Sequence, residues 1–318
     1  MCRYQHFIRL IESLKVNAWA KYTDIYIGLD YPPSSKYEEG YEQISQYLDK
    51  DFPEFASFNV IKHKENLGSF ANSIYLRNLV LEKYDRFIRT DDDAEFSPNF
   101  IEYMDTCLME YESDSDVIAI SGYSYPINWK VSEGANVLKE NFICPMWGTG
   151  FWKDKFYKVQ RDINGGCLRN SVNKVFKDGF YKKMLNSSKI EYMDLCTPYI
   201  KGENLSTFVT DISMRMYSVI NNKYIIVPVV SKVRNWGFDG SGEYCSKSDN
   251  YSYELQKIDT SSNFDLKIDT CSNINENRKL LDKFENVSSM KILKLYLKIL
   301  LYRIFGKYAF YYRFLLNY

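Results

Sequence analysis

Apolar positions in the first part of the chain alternate between two spacings. Residues 4–14 place their apolar side chains on one side of a helix, whereas residues 24–29 form the short apolar run of a buried strand. The alternation continues and predicts further strands at 58–61, 86–90 and 117–120, and further helices at 36–48 and 70–81. Ser97 is expected to cap one more helix, with Pro98 at its first position.

Strands that alternate with helices predict an α/β fold with a mostly parallel sheet flanked by helices. In such sheets, ligands bind beyond the carboxyl ends of the strands. Three polar features fall at or just after predicted strand ends, namely Asp30, the segment that runs from Asn66 to Gly68, and the acidic run 91–93. We therefore expect these features to meet at one edge of the sheet.

The second half of the chain is less regular. Residues 142–158 are rich in aromatic side chains, residues 209–220 have helical spacing, and residues 224–230 predict a strand. Residues 245–277 contain many Ser, Asp, Asn and Thr residues and few apolar ones, which predicts a long loop. The sequence thus predicts a globular domain over 1–245, a polar linker over 246–284 and a C-terminal amphipathic helical segment over 285–318.

Composition excludes several classes of protein. The 318 residues are 45% apolar and 26% charged, which is typical of a folded chain. Because 41 basic and 41 acidic residues cancel, a nucleic acid is not an expected partner. The seven Cys residues form no CxxC pair, which disfavours a disulfide framework or a structural zinc site and favours a cytoplasmic location. The first residues also lack the apolar core of a signal peptide.

The C-terminal segment has a different character. On a helical wheel, Lys291, Lys294 and Lys298 share a narrow stripe, and apolar residues fill the rest of the circumference. This pattern favours a helix that lies on a membrane surface, with packing against the domain as the alternative. The charges recur too often for the about 20 uninterrupted apolar residues of a spanning helix.

The acidic run 91–93 carries the clearest chemical signal. Three consecutive carboxylates repel each other, and a divalent cation such as Mn²⁺ or Mg²⁺ would make their proximity favourable. Asp93 is the predicted direct metal ligand. The alternative is a solvated acidic turn or a helix cap, which is weaker here because Ser97 and Pro98 already provide a helix start.

The run Asp91-Asp92-Asp93 lies in a segment, 87–98, that resembles the DXD segment of GT-A glycosyltransferases. The similarity is greatest to family-2-like bacterial polysaccharide transferases and extends more distantly to the Golgi N-acetylglucosaminyltransferase that starts complex N-glycans. Four further segments resemble family motifs in the family's order, namely Asn66-Leu67-Gly68, Ser121-Gly122-Tyr123, Trp147-Gly148-Thr149 and the Gly-Phe-Asp-Gly loop within 235–242.

The resemblance implies a GT-A fold and a set of site residues. Asp93 would bind the metal that bridges to the diphosphate of a nucleotide sugar, with a UDP-sugar as the expected donor. Asp30 would contact the nucleoside, and Asp92 the ribose or the donor sugar. The glycines around Gly148 would let the backbone approach the donor or acceptor closely. The remaining residues expected to bind the nucleotide sugar are Arg3, Asn66, Gly68, Asp91 and Trp147.

Asp211 is the expected general base. It matches the Asp that opens the family's Trp-Asp helix, although Thr210 stands here in place of the Trp. The alternative is an Asp placed in a first helical turn by the helix dipole alone. As a base, Asp211 would take the proton of the acceptor hydroxyl during one direct displacement, which inverts the anomeric configuration.

The chain departs from the family pattern in two places. Tyr244-Cys245 replaces the His-Cys pair that usually ends the last motif loop, so Asp239 or water would fill that metal position. The N-terminus resembles the end of the family's first nucleotide loop, so the first strand is expected to be missing. The only other His besides His6 is His63, in either a solvated basic turn or a positive rim near the diphosphate.

The sequence therefore predicts a metal-dependent inverting glycosyltransferase that acts on a glycan or a lipid-linked glycan in surface polysaccharide biosynthesis. Its expected location is the inner face of the cell membrane, as a peripheral protein. Two alternatives remain open, a related nucleotidyltransferase and an inactive remnant that binds carbohydrate or membrane. A nucleotidyltransferase should carry a glycine-rich phosphate loop, which this sequence lacks.

Overall fold

The computed structural model describes residues 3–142, 145–168, 210–241 and 254–284, and eight single positions between 290 and 305. The helices in these ranges are α1 (Tyr4–Lys15), α2 (Glu38–Tyr47), α3 (Gly68–Lys83), α4 (Phe100–Glu110), α5 (Lys153–Asn164), α6 (Asp211–Asn221) and α7 (Ile274–Phe284). The strands are β1 (Asp24–Leu29), β2 (Ser57–Lys62), β3 (Arg86–Arg89), β4 (Ala94–Phe96), β5 (Val117–Ser121), β6 (Val137–Glu140), β7 (Thr149–Trp152), β8 (Tyr224–Pro228) and β9 (Val233–Asn235).

The strands form three sheets. A five-stranded sheet has the order β3-β7-β5-β8-β6, while β1 pairs with β2 and β4 pairs with β9. The β1–β2 and β5–β8 pairs are parallel, and the pairs that involve β7, β6 and β9 are antiparallel. The predicted α/β class is confirmed, with a mixed sheet flanked by helices.

Helix α1 forms because its apolar residues recur at helical spacing, and it buries Phe7, Leu10, Ile11 and Leu14. Each such burial contributes about 1.5–3 kcal/mol before the entropy cost of ordering the chain. The helix packs on β4, where the Ser13 hydroxyl accepts a hydrogen bond from the Phe96 amide at 3.0 Å. This packing places the start of α1 beside the acidic run.

Helix α3 covers two sheets at once, because it contacts both β1 and β3. Asn72 of this helix donates a hydrogen bond from Nδ2 to the carbonyl of Gly28 at 2.8 Å. A Cβ at Gly28 would lie 2.3 Å from the Asn72 side chain, so the glycine permits the close approach. In the described residues, β1 pairs only with β2 and β3 pairs only with β7.

The start of α4 corrects the predicted helix cap. The helix begins at Phe100 with Asn99 as N-cap, two residues later than Ser97 was expected to cap it. Ser97 has other partners, because its hydroxyl donates to Asn99 Oδ1 at 2.9 Å and its amide donates to the Lys232 carbonyl at 2.9 Å. Ser97 therefore fixes the turn between β4 and α4 and ties it to the chain before β9.

The described part of the segment 246–284, which was expected to be a linker, packs on the rest of the chain. Residues 254–273 are mostly irregular, yet they pack on the domain through hydrogen bonds such as that from the Phe264 amide to Glu102 at 2.8 Å. Helix α7 follows, with Leu281 buried in the core and Asn277 and Arg278 buried among polar partners. Phe264 and Leu266 supply apolar contacts to the core. A few apolar side chains, together with hydrogen bonds, are thus enough to pack this segment against the domain.

Within the described residues, every helix is too short or too polar to span a lipid bilayer.

Candidate active site

The acidic run follows β3 and leads into β4, and the first residues of α1 and α6 lie near it. Arg3, at the N-cap of α1, reaches across 89 positions of sequence to the run. Its Nη2 lies 2.6 Å from Asp92 Oδ1 and 3.0 Å from Asp93 Oδ2. All three side chains are largely buried, so the pairing is stronger than an exposed ion pair would be.

Asp93 has an unusual carboxyl group. The residue is buried, and its Oδ1 atom is buried with no hydrogen-bond partner in the described structure. Burial raises the pKa of Asp93, the positive charge of Arg3 lowers it, and the charge of Asp92 raises it again, with a net upward shift. An ionised oxygen without a partner is costly when buried, so Oδ1 is suited to a cation or a donor supplied by a ligand.

The carboxyl group of Asp93 lies against Gly237. A Cβ at Gly237 would lie 2.1 Å from Asp93 Oδ2, which a side chain cannot tolerate. The backbone around it is fixed as well, because β4 pairs with β9 and the Trp236 amide donates to the Asp93 carbonyl at 2.9 Å. The absence of a side chain at Gly237 thus lets the loop after β9 close over Asp93.

Trp236 holds the loop after β9 against α1. Its ring lies between the guanidinium groups of Arg9 and Arg234, at 4.1 and 3.9 Å from the ring centroid. Its indole Nε1 donates to Glu95 Oε2 at 2.7 Å. Cations on an aromatic face contribute about 0.5–2 kcal/mol each. This clamp fixes the loop that carries Gly237 and Asp239.

His6 joins the same site, which the sequence alone did not indicate. Its Nε2 lies 3.1 Å from Asp239 Oδ2 and 3.2 Å from the Trp236 carbonyl. Burial raises the pKa of Asp239, but hydrogen bonds from Ser241 and the nearby His6 and Arg3 lower it overall. The spacing of Arg3 and His6 in the sequence was the signal that could have revealed this contact. Residues three apart on a helix lie on the same side, so the two side chains approach the acidic residues together.

Asp91 lies at the open side of the run. Burial is the main cause that raises its pKa, although 38% of its side-chain surface is accessible, and the charges of Asp93, Asp92 and Asp211 add to the shift. Arg89 acts in the opposite direction, since its Nη2 lies 2.8 Å from Asp91 Oδ1. The charge of Asp211 is the smallest of these causes, so the carboxyl groups of Asp211 and Asp91 lie within electrostatic range of each other.

Asp211 occupies the first turn of α6. Thr210 and Ser213 cap this helix reciprocally, with the Ser213 amide donating to Thr210 Oγ1 at 3.2 Å. Asp211 is exposed, and its Oδ1 accepts a hydrogen bond from the Ile212 amide at 3.0 Å. The capping box therefore fixes the helix without Asp211, and the carboxyl group points to solvent near the acidic run.

Asp30, Asn66 and Gly68 form a second group, joined by hydrogen bonds. The Asp30 carboxyl accepts hydrogen bonds from the amides of Tyr31, Leu67 and Gly68 at 3.0, 2.8 and 2.8 Å, and from Asn66 Nδ2 at 3.3 Å. These four donors use the acceptor sites of a carboxylate. Asp30 thus caps the start of α3, and a direct bond to a nucleoside would have to displace one of these donors.

Asp30 follows β1 and the acidic run follows β3, and these two strands belong to different sheets. Among the described residues, no hydrogen bond or ion pair joins the group around Asp30 to the group around Asp93. Asn66 also donates to the Tyr31 carbonyl at 2.6 Å, so it stabilises the turn after β1. Gly68 has a φ of +79°, which explains the glycine at this position.

The segment around Trp147 joins three motif segments. Its ring packs edge-on against Tyr123 and Phe238, with centroids 4.9 and 5.8 Å apart. Gly148 has a φ of +59°, and its open side is filled by Phe96, Phe100 and Val233. The absence of a side chain at Gly148 therefore lets these core side chains pack against its backbone. Its expected role at the donor or acceptor stays a prediction. Trp147 itself stays partly exposed and able to contact a ligand.

The position of His63 favours neither of its two expected roles. Its Nε2 lies 3.0 Å from Asn72 Oδ1, and its ring packs edge-on against Tyr75 at 5.1 Å. These contacts hold the turn after β2 against α3. Tyr244 and Cys245 lie outside the described residues.

The acidic run could supply part of a metal site. Within the described ranges, no three His, Cys, Asp or Glu side chains are arranged so that they alone could hold a metal ion. Mg²⁺ and Mn²⁺ sites that handle phosphates need only one or two carboxylates, since phosphate and water oxygens supply the other ligands. Asp93 Oδ1, which is buried and has no partner, fits such a shared site.

Comparison with known proteins adds no family assignment. The sequence matches no protein-family model, and it has no match among curated proteins.

Proposed function

We propose that this chain is a metal-dependent, inverting glycosyltransferase of the GT-A type that uses a nucleotide sugar, with a UDP-sugar as the donor. The observation that carries the proposal is the buried, unpartnered Asp93 Oδ1 atom beside Arg3, with Asp211 near the same acidic run. A cation, a cationic side chain and a separate exposed carboxylate are the groups that transfer from a diphosphate donor requires.

The metal would be Mn²⁺ or Mg²⁺, held by Asp93 and by the donor's phosphate oxygens. When bound, it would supply Lewis-acid stabilisation of the departing nucleoside diphosphate. Arg3 offsets part of the negative charge of Asp92 and Asp93, and its guanidinium is also suited to bind a phosphate oxygen. Trp147, partly exposed beside the loop after β9, would stack against the donor or acceptor.

Asp211 would act on the acceptor. Its carboxylate takes the proton of the acceptor hydroxyl as the oxygen attacks the anomeric carbon, and the bond from that carbon to the diphosphate breaks. The nucleoside diphosphate leaves with the bonding electrons, so a single displacement inverts the configuration. The exposed position of Asp211 suits a bulky acceptor such as a glycan or a lipid-linked glycan.

An inactive remnant is the second candidate. It is favoured by the contacts of Arg3, which pair with Asp92 and Asp93 and so offset their charge without a metal. A remnant would bind carbohydrate without turnover, whereas a transferase must release the nucleotide.

A donor-turnover assay tests the proposal. The chain is incubated with UDP-, GDP- and CMP-sugars in Mn²⁺ or in EDTA, and the released nucleotide is measured. We expect release from one class of donor, only with metal, and its loss in Asp93→Asn. Asp85→Asn is the matched control, since Asp85 is exposed and lies before β3, at the end opposite to the acidic run. Release that persists in EDTA, or in Asp93→Asn, would reject the assignment of Asp93.

A further inference from the structure

The described positions of the C-terminal segment share an exposed apolar stripe. Residues 290, 293, 294, 297, 300, 301 and 304 are helical. Five of these described positions, three or four residues apart, carry apolar side chains that are 43–62% exposed, namely Met290, Leu293, Leu297, Leu300 and Ile304. Residues at this spacing lie on one side of a helix. Large apolar side chains exposed in a row mark an interaction surface.

The charge of the segment indicates the chemistry of its partner. Residues 286–318 contain six basic residues and no acidic residue. The whole chain has 41 of each, so the remaining 285 residues carry 35 basic and 41 acidic side chains and a formal charge of −6. The positive charge is therefore concentrated in the segment that carries the apolar stripe. An apolar face combined with local positive charge matches an anionic lipid surface.

A second copy of the chain fits this stripe less well. A two-stranded coiled coil along the stripe would need opposite charges beside the seam. Residues 286–318 contain no acid, so two copies of this segment cannot supply such pairs to each other. The chain between the stripe positions also contains Ile292, Leu295 and Ile299, so its apolar content exceeds that of a narrow seam.

We propose that the exposed apolar stripe formed by Met290, Leu293, Leu297, Leu300 and Ile304 is a docking face for the surface of an anionic lipid bilayer. The apolar stripe inserts among the acyl chains near the headgroups, and the basic residues contact the lipid phosphates. The recurring Lys and Arg residues keep the helix at the interface. This inference does not depend on the transferase activity, because it rests only on residues outside the candidate active site.

Vesicle co-sedimentation of the full chain tests the docking face. The two probes are vesicles of phosphatidylcholine alone and vesicles of phosphatidylcholine mixed with phosphatidylglycerol. We expect clear binding to the mixed vesicles, weak binding to phosphatidylcholine, and weaker binding at high salt because salt screens the charges. Analytical ultracentrifugation without lipid is expected to show no self-association through the stripe.

Two sets of substitutions separate the contributions. Leu297→Glu should weaken partitioning onto the mixed vesicles by about tenfold or more, since it removes one Leu that would insert into the bilayer and adds an acid. Replacing Lys291, Lys294 and Lys298 with Gln should abolish the preference for anionic lipid. Met109→Glu is the matched control, because Met109 is an exposed apolar residue of α4 and lies outside the stripe. This variant should bind vesicles as the wild type does.

The outcomes decide the proposal. Equal binding to the two vesicle types would reject the anionic partner, and no binding to either would reject the docking face. If Leu297→Glu leaves vesicle binding unchanged, the stripe is not the contact. If it instead breaks up an oligomer of a chain that does not bind lipid, the stripe joins two copies and the membrane proposal is wrong. Circular dichroism should show the same fold for all variants, since the replaced side chains are on the surface.

Discussion

Arg3→Met is the perturbation that tests the site geometry most sharply without any ligand. Methionine keeps the apolar stem of the arginine and removes its charge, so Asp92 and Asp93 lose their shared cation. Asp93 would then have neither oxygen satisfied by a side chain, because Oδ1 is already without a partner. Breaking a largely buried charged pair of this kind should cost about 2–4 kcal/mol of unfolding free energy at neutral pH.

The pKa of Asp93 determines how the stability cost of Arg3→Met changes with pH. Burial already raises the pKa of Asp93, and Arg3 opposes that shift, so the pKa should rise further in Arg3→Met. When the pKa of an acid is higher in the folded chain than in the unfolded chain, the protonated acid favours folding. That stability is lost as the pH rises through the pKa of the folded chain. The cost of the substitution should therefore be largest near neutral pH and should shrink towards about pH 4, where Asp residues become protonated.

The assay is urea unfolding of the wild type, Arg3→Met and Arg161→Met, at neutral pH and near pH 4. Arg161 is the matched control, because it is an exposed arginine in the last turn of α5. We expect the control to change stability by less than about 0.5 kcal/mol. An equal effect of the two substitutions, or a cost of Arg3→Met that does not vary with pH, would refute the pairing of Arg3 with the acids.

Three further substitutions test other parts of the site. Gly237→Ala should displace the Asp93 carboxyl, cost about 1–3 kcal/mol by overpacking and weaken manganese-dependent nucleotide binding, as measured by urea unfolding and calorimetry. Asp211→Asn should keep nucleotide binding and lower transfer by about 10²–10⁴-fold in an assay of the released nucleotide. Asp30→Asn should destabilise the start of α3 by about 1–2 kcal/mol in thermal unfolding, because an amide supplies fewer acceptor sites to the four donors.

Each of these three substitutions has its own control or contrary outcome. Gly134→Ala introduces backbone strain with no close neighbour, so it should leave nucleotide binding unchanged where Gly237→Ala weakens it. Near-normal transfer by Asp211→Asn would place the base elsewhere. If Asp30→Asn leaves the stability unchanged but removes nucleotide binding, then Asp30 contacts the nucleoside and does not mainly cap α3.

Local patterns were sufficient to predict most helices and strands of the first half. The predicted strand at 24–29 coincides with β1, because its short apolar run is bounded by polar residues. Strand β7, Thr149–Trp152, was not predicted, since it is buried on both faces and contains Gly150 against Leu108. Such a strand shows no alternation of polar and apolar residues and is recognisable only through its pairing with β3 and β5.

The acidic run was predictable from the sequence, but its partners were not. Arg3 was expected at the site only through the family resemblance, and its contact with Asp92 spans 89 positions of sequence. His6 was missed because the contact with Asp239 depends on how α1 packs against the loop after β9. Periodicity and local motifs do not encode such long-range contacts, which the tertiary packing sets.

Calorimetric titration of the chain with UDP, with and without Mn²⁺, is the most direct test of the central claim. The account predicts that UDP binds with Mn²⁺, that binding weakens strongly without it, and that Asp93→Asn removes the metal-dependent part while Asp85→Asn does not. The account would be contradicted if UDP, GDP and CMP all fail to bind the folded chain with Mn²⁺ present, or if Asp93→Asn binds as tightly as the wild type.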